Sequence, residues 1–154
     1  MNAYFFDSSA LVKRYIIETG SKWVIDLLKP SANNVIFIAQ ITGVEVTSAI
    51  ARKRKGLHIA PDKAGKSIWR FQRDFQNRFY QKSLAPNIVN SAMQLADKYA
   101  LRGYDAVQLA SALEANNLRQ INGLSAITFI SADNALNSAA VTEGLAVDNP
   151  NNHP

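Results

Sequence analysis

The stretch that decides the fold is Tyr4-Phe5-Phe6-Asp7-Ser8-Ser9-Ala10-Leu11-Val12-Lys13. Its three aromatic residues form a short apolar run typical of a buried strand, and Asp7 ends that run. Ser8 or Ser9 is a candidate N-cap for a helix that continues beyond Val12. A strand that gives way to a helix at an acidic residue predicts an α/β unit with a carboxylate at the end of its first strand.

Short β-rich runs recur along the chain and alternate with segments at helical spacing. The runs cover residues 35–38, 127–130 and 145–147, and a further short strand is predicted at 81–85. Longer segments with apolar residues at helical spacing separate them. Strands that alternate with helices indicate an α/β fold in which helices cover both faces of a parallel sheet.

Length and composition indicate one domain. The chain has 154 residues, 47% of them hydrophobic, and no cysteine, so one core can form without disulfides or cysteine-bound zinc. We predict a domain over residues 1–148 and a short polar tail over residues 149–154, which we expect to be frayed. His58 falls in a predicted loop and His153 in the tail, so neither is a good candidate for a metal ligand.

The sequence has no segment suited to crossing a membrane. The longest uncharged stretches, Pro30–Val44 and Gln120–Ala132, are shorter than the ~20 apolar residues that span a bilayer. The N-terminal apolar run lacks a preceding basic region and is ended by Asp7, unlike a signal peptide. We therefore expect a cytoplasmic protein with no membrane partner.

Four acidic residues occupy the same kind of position in the predicted fold. Asp7 ends the first strand and Asp133 follows the strand at 127–130, while Glu45 and Asp105 lie in the first turns of predicted helices. Ligands of open parallel sheets bind beyond the carboxyl ends of the strands, which is where these positions lie. We therefore predict that the four carboxylates converge at one edge of the sheet.

A dry cluster of carboxylates must either take up protons or bind cations. Two carboxylates about 5 Å apart repel each other by about 3 kcal/mol at an effective dielectric constant of ~20. Oxygen ligands without His or Cys select Mg²⁺ or Mn²⁺, and one or two such ions catalyse phosphodiester hydrolysis by activating water and neutralising phosphate oxygens. The sequence therefore predicts metal-dependent hydrolysis at this cluster.

Each of the four acids also has a purely structural interpretation. Asp7 can be the N-cap of the first helix, and Glu45 can complete a capping box over Thr42-Gly43-Val44-Glu45. Asp105 and Asp133 can be favourable charges at helix N-termini, worth about 0.3 to 1 kcal/mol each. The structural interpretation is favoured for each acid taken singly, whereas the four together favour a metal site.

Positive charge is concentrated in one segment. Residues Arg52–Lys82 include ten basic and two acidic residues, a charge of +8, while the rest of the chain carries −3. Lys and Arg that neutralise phosphates supply most sequence-independent affinity for nucleic acid, so this segment predicts a polyanion as partner. Phe71, Phe75 and Phe79 share one face of the helix predicted from Pro61, so we expect them to pack on the core or on a second subunit.

Four blocks of sequence surround the four acids: Tyr4–Lys13, Glu45–Arg52, Tyr104–Ala112 and Phe129–Leu136. In this order, over nearly the whole chain, they resemble the signature blocks of PIN-domain nucleases, most closely the VapC-like toxins of bacterial toxin–antitoxin pairs. The resemblance implies a three-layer α/β/α fold with a mainly parallel sheet of four to five strands. It also implies an endoribonuclease that binds one or two Mg²⁺ or Mn²⁺ ions.

The same resemblance implies roles for individual residues. By position, Asp7, Glu45, Asp105 and Asp133 correspond to the acidic quartet that binds metal. Ser9 corresponds to a small hydroxyl residue that bonds a metal ligand or a phosphate oxygen. The resemblance further implies products with 5′-phosphate and 3′-hydroxyl ends, a homodimer, and a small antitoxin whose C-terminal segment blocks the cleft, often with a basic side chain.

Two positions depart from the common pattern of that family. Gln108 stands where many relatives have His or Ala, and Val44 precedes Glu45 where a hydroxyl residue is common. Neither position is acidic, so the departures leave the prediction of metal binding unchanged. Gln108 is expected to alter the fit of the substrate.

Other protein classes also place an acid after the first strand. A haloacid-dehalogenase-type phosphatase requires a second Asp where Ser9 stands, and a response-regulator receiver requires a Lys after a late strand, where Ser131-Ala132-Asp133 follows instead. The stronger alternative is a PIN-like module that binds RNA or a protein without cutting. Loss of one or more of the four acids would mark such a module.

Overall fold

The computed structural model describes all 154 residues and has a five-stranded parallel sheet at its centre. The strands are β1 (Ala3–Phe6), β2 (Val35–Ala39), β3 (Tyr80–Lys82), β4 (Ile127–Ile130) and β5 (Ala146–Asp148). They lie in the order β3-β2-β1-β4-β5, and every neighbouring pair is parallel. The predicted sheet is confirmed, and β1 is its central strand.

Seven helices connect and cover the strands. None of them is both long enough and apolar enough to cross a bilayer. The helices are α1 (Ser8–Leu11), α2 (Ser21–Leu28), α3 (Thr42–Lys55), α4 (Pro61–Asn77), α5 (Pro86–Tyr99), α6 (Gly103–Ile121) and α7 (Asn134–Thr142). Short 3₁₀ turns follow α1, α2 and β5, at Val12–Arg14, Pro30–Ala32 and Pro150–Asn152.

Alternation of side chains along the strands divides the core into two halves. Phe5 faces one side of the sheet, where it stacks on Phe129 at 5.9 Å between ring centres, beneath α5, α6 and α7. Phe6 faces the other side and packs with Ile38 and Ile130 beneath α1 to α4. Because successive side chains of a strand point to opposite faces, both faces are apolar and both carry helices. The result is the expected three-layer α/β/α arrangement.

Two predicted helix starts are wrong in detail. The first helix is capped by Asp7 rather than by Ser8 or Ser9, and it ends at Leu11 in a 3₁₀ turn instead of continuing. The capping box at Thr42 does not form, because Ile41 already has helical backbone angles and accepts hydrogen bonds from the amides of residues 44 and 45. Thr42 is therefore inside α3.

Phe71 and Phe75 of α4 pack inward, as the spacing predicts, whereas Phe79 lies beyond the end of the helix at Asn77. Phe71 is buried in the half-core beneath α1 to α4, and Phe75 and Phe79 pack partly buried against it. Gly43 accommodates Phe75, since a Cβ on that glycine would lie 2.9 Å from the Phe75 ring. The phenylalanines therefore pack within the chain, whereas Trp69 on α4 remains exposed.

The six C-terminal residues are docked rather than frayed. Pro150 is buried, and Gly20 lies against its carbonyl with a positive φ of 83°. The ring of His153 stacks on Trp23 at 4.1 Å and contacts the Asp148 carboxylate with its Nε2 at 2.8 Å. The expectation of a frayed tail is therefore wrong. It rested on the polar composition of the tail, which does not reveal that Pro150 and His153 contact the rest of the domain.

Candidate metal centre

The four predicted acids line one cleft at the carboxyl ends of the strands. Asp7 follows β1, Asp133 follows β4, and Glu45 and Asp105 lie in the first turns of α3 and α6. The cleft has a volume of about 460 Å³, and all four residues are among those that line it. Strands β2 and β3 lie on one side of β1, and β4 and β5 lie on the other. The cleft therefore lies at the point where the strand order reverses.

Asp7 forms the buried floor of this cleft. One carboxylate oxygen accepts hydrogen bonds from the Ser9 hydroxyl at 2.7 Å and from the Ala10 amide at 2.9 Å, and the other accepts from the Ser131 hydroxyl at 2.7 Å. Burial raises the pKa of Asp7 to about 6, although these hydrogen bonds oppose the rise. Asp7 is therefore both the N-cap of α1 and a cleft residue, so its two interpretations are compatible.

Two serines hold Asp7 and also order the loop after β4. The Ser9 hydroxyl accepts from the Ala132 amide at 3.0 Å, and the Ser131 hydroxyl accepts from the Asp133 amide at 3.1 Å. Sequence reasoning included Ser9 but missed Ser131 as a site residue. The available signal was its position two residues before Asp133, which mirrors the position of Ser9 two residues after Asp7.

Glu45 is positioned from α6 by Gln108. The Gln108 amide nitrogen donates to Glu45 Oε1 at 2.7 Å and to Thr42 Oγ1 at 2.9 Å, while its own Oε1 has no partner. Partial burial raises the pKa of Glu45, and the hydrogen bond from Gln108 opposes that rise. Gln108 is 1% exposed and does not line the cleft. Its contact with the cleft is therefore made through Glu45.

An arginine bridges the two remaining acids. Arg102 Nε donates to Asp105 Oδ2 at 3.2 Å, and its terminal nitrogen donates to Asp133 Oδ2 at 3.4 Å. The other oxygen of Asp133 caps α7 by accepting from the Leu136 amide at 2.9 Å. Partial burial raises the pKa of Asp105, whereas the charge of Arg102 lowers it. The sequence analysis missed Arg102, although its position three residues before Asp105 was visible.

The chemistry of the donor set fits a hard divalent cation. All four candidate ligands are carboxylates, and neither histidine lines the cleft. As the side chains stand, however, no three of the chain's acids or histidines are close enough together to enclose an ion. Mg²⁺ usually keeps several waters and takes only one or two protein carboxylates, so the cleft suits a partly hydrated ion better than a closed protein cage.

The rim of the cleft combines basic and apolar side chains. Arg52, in the last turn of α3, and Arg102 contribute positive charge next to the acids. Val44 and Tyr104 lie at the helix starts, and the Tyr104 side chain is 60% exposed. Positive groups and an exposed aromatic ring are the features with which proteins hold single-stranded nucleic acid.

The fold matches those of several solved structures, two of which are toxin–antitoxin complexes. The structure of VapBC2 from Rickettsia felis, bound to a DNA fragment from its promoter, aligns with a TM-score of 0.61 and 13% identity over 96% of this chain and 98% of that one. A toxin–antitoxin complex from Klebsiella pneumoniae aligns with a TM-score of 0.59 and 19% identity over 96% and 97% of the two chains. PAE2754 from Pyrobaculum aerophilum aligns with a TM-score of 0.63 and 16% identity over 96% and 83%.

These matches establish the fold. The chain shares its fold with these solved structures, which agrees with the three-layer PIN-like architecture that its sequence blocks predict. No protein-family model matches the chain, and no curated protein matches it by sequence.

Proposed function

We propose that the protein is a Mg²⁺- or Mn²⁺-dependent endoribonuclease and the toxin of a VapBC-type toxin–antitoxin pair. The observation that carries the proposal is the convergence of Asp7, Glu45, Asp105 and Asp133 on one cleft. These residues come from four separate segments of the chain, so local helix capping alone does not account for their meeting.

The four acids of the cleft have different roles in this proposal. Asp7, Asp105 and Asp133 would hold the principal ion, directly or through water, and Glu45 would orient the attacking water or share a second ion. A bound ion supplies charge neutralisation at the scissile phosphate and a more acidic water. Burial and the fixed hydrogen bonds of Asp7 keep its carboxylate oriented, and Gln108 does the same for Glu45.

The basic segment Arg52–Lys82 is the proposed approach surface for RNA. It begins at Arg52, which lines the cleft, and continues along the exposed side of the α3–α4 hairpin. Phosphates bound there would lead the chain of an RNA toward the acids, because the attraction is long-ranged and independent of sequence. Because the proposed substrate is cellular RNA, the proposed location is the cytoplasm.

The proposed protein partners are a small antitoxin and a second copy of the chain. Support for the antitoxin comes from the fold shared with VapBC2 and with the Klebsiella pneumoniae toxin–antitoxin complex. In this proposal the antitoxin blocks the cleft by presenting a basic side chain to the carboxylates. A short neighbouring gene that encodes a DNA-binding N-terminus would support the pairing.

The decisive experiment is cleavage of total cellular RNA with mapping of the new 5′ ends. We expect cleavage in Mg²⁺ or Mn²⁺, none in EDTA, and none from Asp7→Asn in either metal. The matched control is Asp97→Asn, which makes the same change at an exposed acid of α5 outside the cleft. Cleavage that persists in EDTA, or in Asp7→Asn, would contradict the proposal.

The second candidate function is a PIN-like module that binds RNA or a protein without cutting. It is favoured by the fact that no three acids are close enough to enclose an ion as they stand. The same experiment separates the two functions. A non-cleaving module would retain RNA of unchanged length in both metals.

A further inference from the structure

Arg102 joins two acids that the fold brings together from different segments. Its guanidinium contacts Asp105 at 3.2 Å, on its own helix, and Asp133 at 3.4 Å, at the start of α7. The side chain is 81% exposed and lines the cleft beside them. A single positive charge is therefore shared by two of the four carboxylates.

Helix α6 does not by itself account for an arginine at this position. Arg102 is the N-cap residue, and its side chain makes no capping hydrogen bond. Ser, Thr, Asp and Asn are the preferred N-caps, and a positive charge is unfavourable next to the positive end of the helix dipole. The favourable contacts of this side chain are those with the two carboxylates.

These contacts are easily exchanged. Arg102 donates a single hydrogen bond to each carboxylate rather than a two-point contact, and its side chain is largely exposed to solvent. Exposed ion pairs of this kind contribute little to stability, because water and dissolved salt weaken them. A divalent cation has twice the charge of the guanidinium and competes for the same oxygens.

An arginine released from the acids would remain at the rim of the cleft. Its planar guanidinium matches the geometry of a phosphate group, to which it can donate two parallel hydrogen bonds. RNA whose scissile phosphate reaches the four acids has to pass this rim. The released side chain would thus meet a phosphate without a rearrangement of the backbone.

We propose that Arg102 is a built-in counter-cation of the cleft, which partly neutralises Asp105 and Asp133 in the ion-free protein and moves to an RNA phosphate when those oxygens bind a divalent ion. This inference rests on the proposed nuclease function. It assigns to Arg102 two successive partners, first the acids and then the substrate.

The first test is a calorimetric titration of the RNA-free protein with Mn²⁺. We expect Arg102→Gln to bind Mn²⁺ at least about threefold more tightly than the wild type, since the competing charge is gone, and Arg102→Lys to lie between the two. The control is Arg119→Gln, which removes the same charge about 25 Å further along α6, where the guanidinium contacts Ser125. It should leave Mn²⁺ affinity unchanged.

The second test is binding of a short fluorescein-labelled single-stranded RNA in Ca²⁺, a hard cation that takes oxygen ligands. We expect Arg102→Gln to weaken RNA binding about fivefold and to reduce the slope of log affinity against log salt by about 0.7, the value for one phosphate contact on a single strand. Arg119→Gln should change RNA affinity less than twofold. Thermal melting of each variant verifies that it is folded.

Three outcomes would overturn the inference. Mn²⁺ affinity that is unchanged or weaker in Arg102→Gln shows that the arginine does not compete with the ion. RNA affinity that is unchanged in Ca²⁺ shows that it does not reach a phosphate. If the wild type does not bind Mn²⁺, or if Asp105→Asn binds Mn²⁺ as tightly as the wild type does, the proposed nuclease function fails and the inference fails with it. The first two outcomes contradict the inference alone and leave the nuclease function standing.

Discussion

At the scale of single residues, Asp7 combines a local structural role with the metal-binding role that we propose for it. A helix cap needs one carboxylate oxygen, and Asp7 uses one for the Ala10 amide. The second oxygen is directed to Ser131, which lies 124 positions away in the chain. Burial of this charge is costly, and the cost is visible in a pKa raised to about 6.

The raised pKa of Asp7 predicts a pH-dependent stability. The unfolded carboxyl ionises near 3.8 and the folded one near 6, so the folded state binds more protons between these values and stability falls as pH rises through them. Without divalent ions, we expect the wild type to lose about 2 kcal/mol of unfolding free energy relative to Asp7→Asn between about pH 4.5 and pH 7.5. Urea unfolding in EDTA at the two pH values measures this difference.

The prediction is checked by comparing how much the unfolding free energy of each protein changes between the two pH values. Both contain the other acids of the cleft, so the comparison isolates Asp7 except for its coupling to Asp105. An equal pH dependence of Asp7→Asn and the wild type would show that the Asp7 carboxyl titrates at its ordinary pKa.

Gln108 is the residue that holds Glu45 in place. Gln108→Met keeps the length of the side chain but removes the donor that Glu45 and Thr42 share. Partners of this kind behind a catalytic carboxylate typically contribute about tenfold or more to activity. We expect kcat for RNA cleavage to fall about tenfold while KM changes less than twofold, because Gln108 does not line the cleft.

Steady-state cleavage of a defined RNA tests this expectation. Gln120→Met makes the same substitution on the exposed part of α6 and should leave kcat and KM unchanged. A rise in KM without a fall in kcat would mean that Gln108 shapes the fit of the substrate, as the sequence alone suggested, instead of orienting Glu45.

At the scale of elements, helix α4 is tied to the turn after α1 by a buried acid. Asp74 on α4 accepts from the Tyr15 hydroxyl at 2.8 Å and has Arg73 and Arg78 at 3.4 and 3.5 Å. The Ser67 hydroxyl adds a hydrogen bond to the Tyr15 carbonyl at 2.8 Å. Burial and the nearby carboxylate raise the pKa of Tyr15 far above its usual value, so the phenol remains a donor.

This buried cluster predicts a large difference between two substitutions. Asp74→Ala leaves the buried Tyr15 hydroxyl without its acceptor and removes the carboxylate from beside Arg73 and Arg78, and we expect it to cost about 3 to 5 kcal/mol of unfolding free energy. Tyr15→Phe removes one hydrogen bond and should cost about 1 to 2 kcal/mol. Urea denaturation measures both, and similar costs for the two variants would show that the carboxylate is not the centre of the cluster.

The elements were largely predictable from the sequence, because their signals are local. The runs at 35–38 and 127–130 are β-rich and apolar, and they coincide with β2 and β4 to within one residue. The positions of the four acids at strand ends and helix starts followed from the same alternation. The helix caps were less predictable, since Ile41 takes up helical angles as the chain leaves β2, which the candidate box at Thr42 does not reveal.

The contacts within the cleft could not be predicted in the same way. Ser9 reaches Ala132, Gln108 reaches Glu45, and Arg102 reaches Asp133, and each pair is separated by tens of residues or more. Such pairs depend on strand order and helix orientation, which a periodic pattern does not contain. The docked tail was missed for the same reason, because Trp23 and His153 meet only in the folded chain.

At the scale of the whole molecule, the division of charge predicts how RNA affinity responds to salt. Arg54 and Lys55 are exposed at the end of α3 and make no ion pair. Arg54→Gln/Lys55→Gln should therefore weaken binding of single-stranded RNA and lower the log–log salt slope by about 1.4, the value for two phosphate contacts. The control is Lys22→Gln/Lys29→Gln, in and directly after α2 and outside the basic segment, where both lysines pair with Asp26.

Anisotropy titrations at several salt concentrations give the two slopes. The control pair removes the same net charge, so an equal fall in slope for both double variants would mean that RNA responds to total charge alone. It would contradict a localised approach surface on the α3–α4 hairpin.

The central position of β1 has a consequence for when the cleft can exist. Strand β1 needs β4 as its neighbour, and Asp7 needs Ser131, so more than 120 residues must follow β1 before either contact forms. Contacts so distant in sequence form late, since the chain between them must first be closed into a loop. A ribosome-bound chain that ends before β4 has neither Ser131 nor Asp133. The growing chain therefore lacks the complete cleft until β4 and Asp133 have been synthesised.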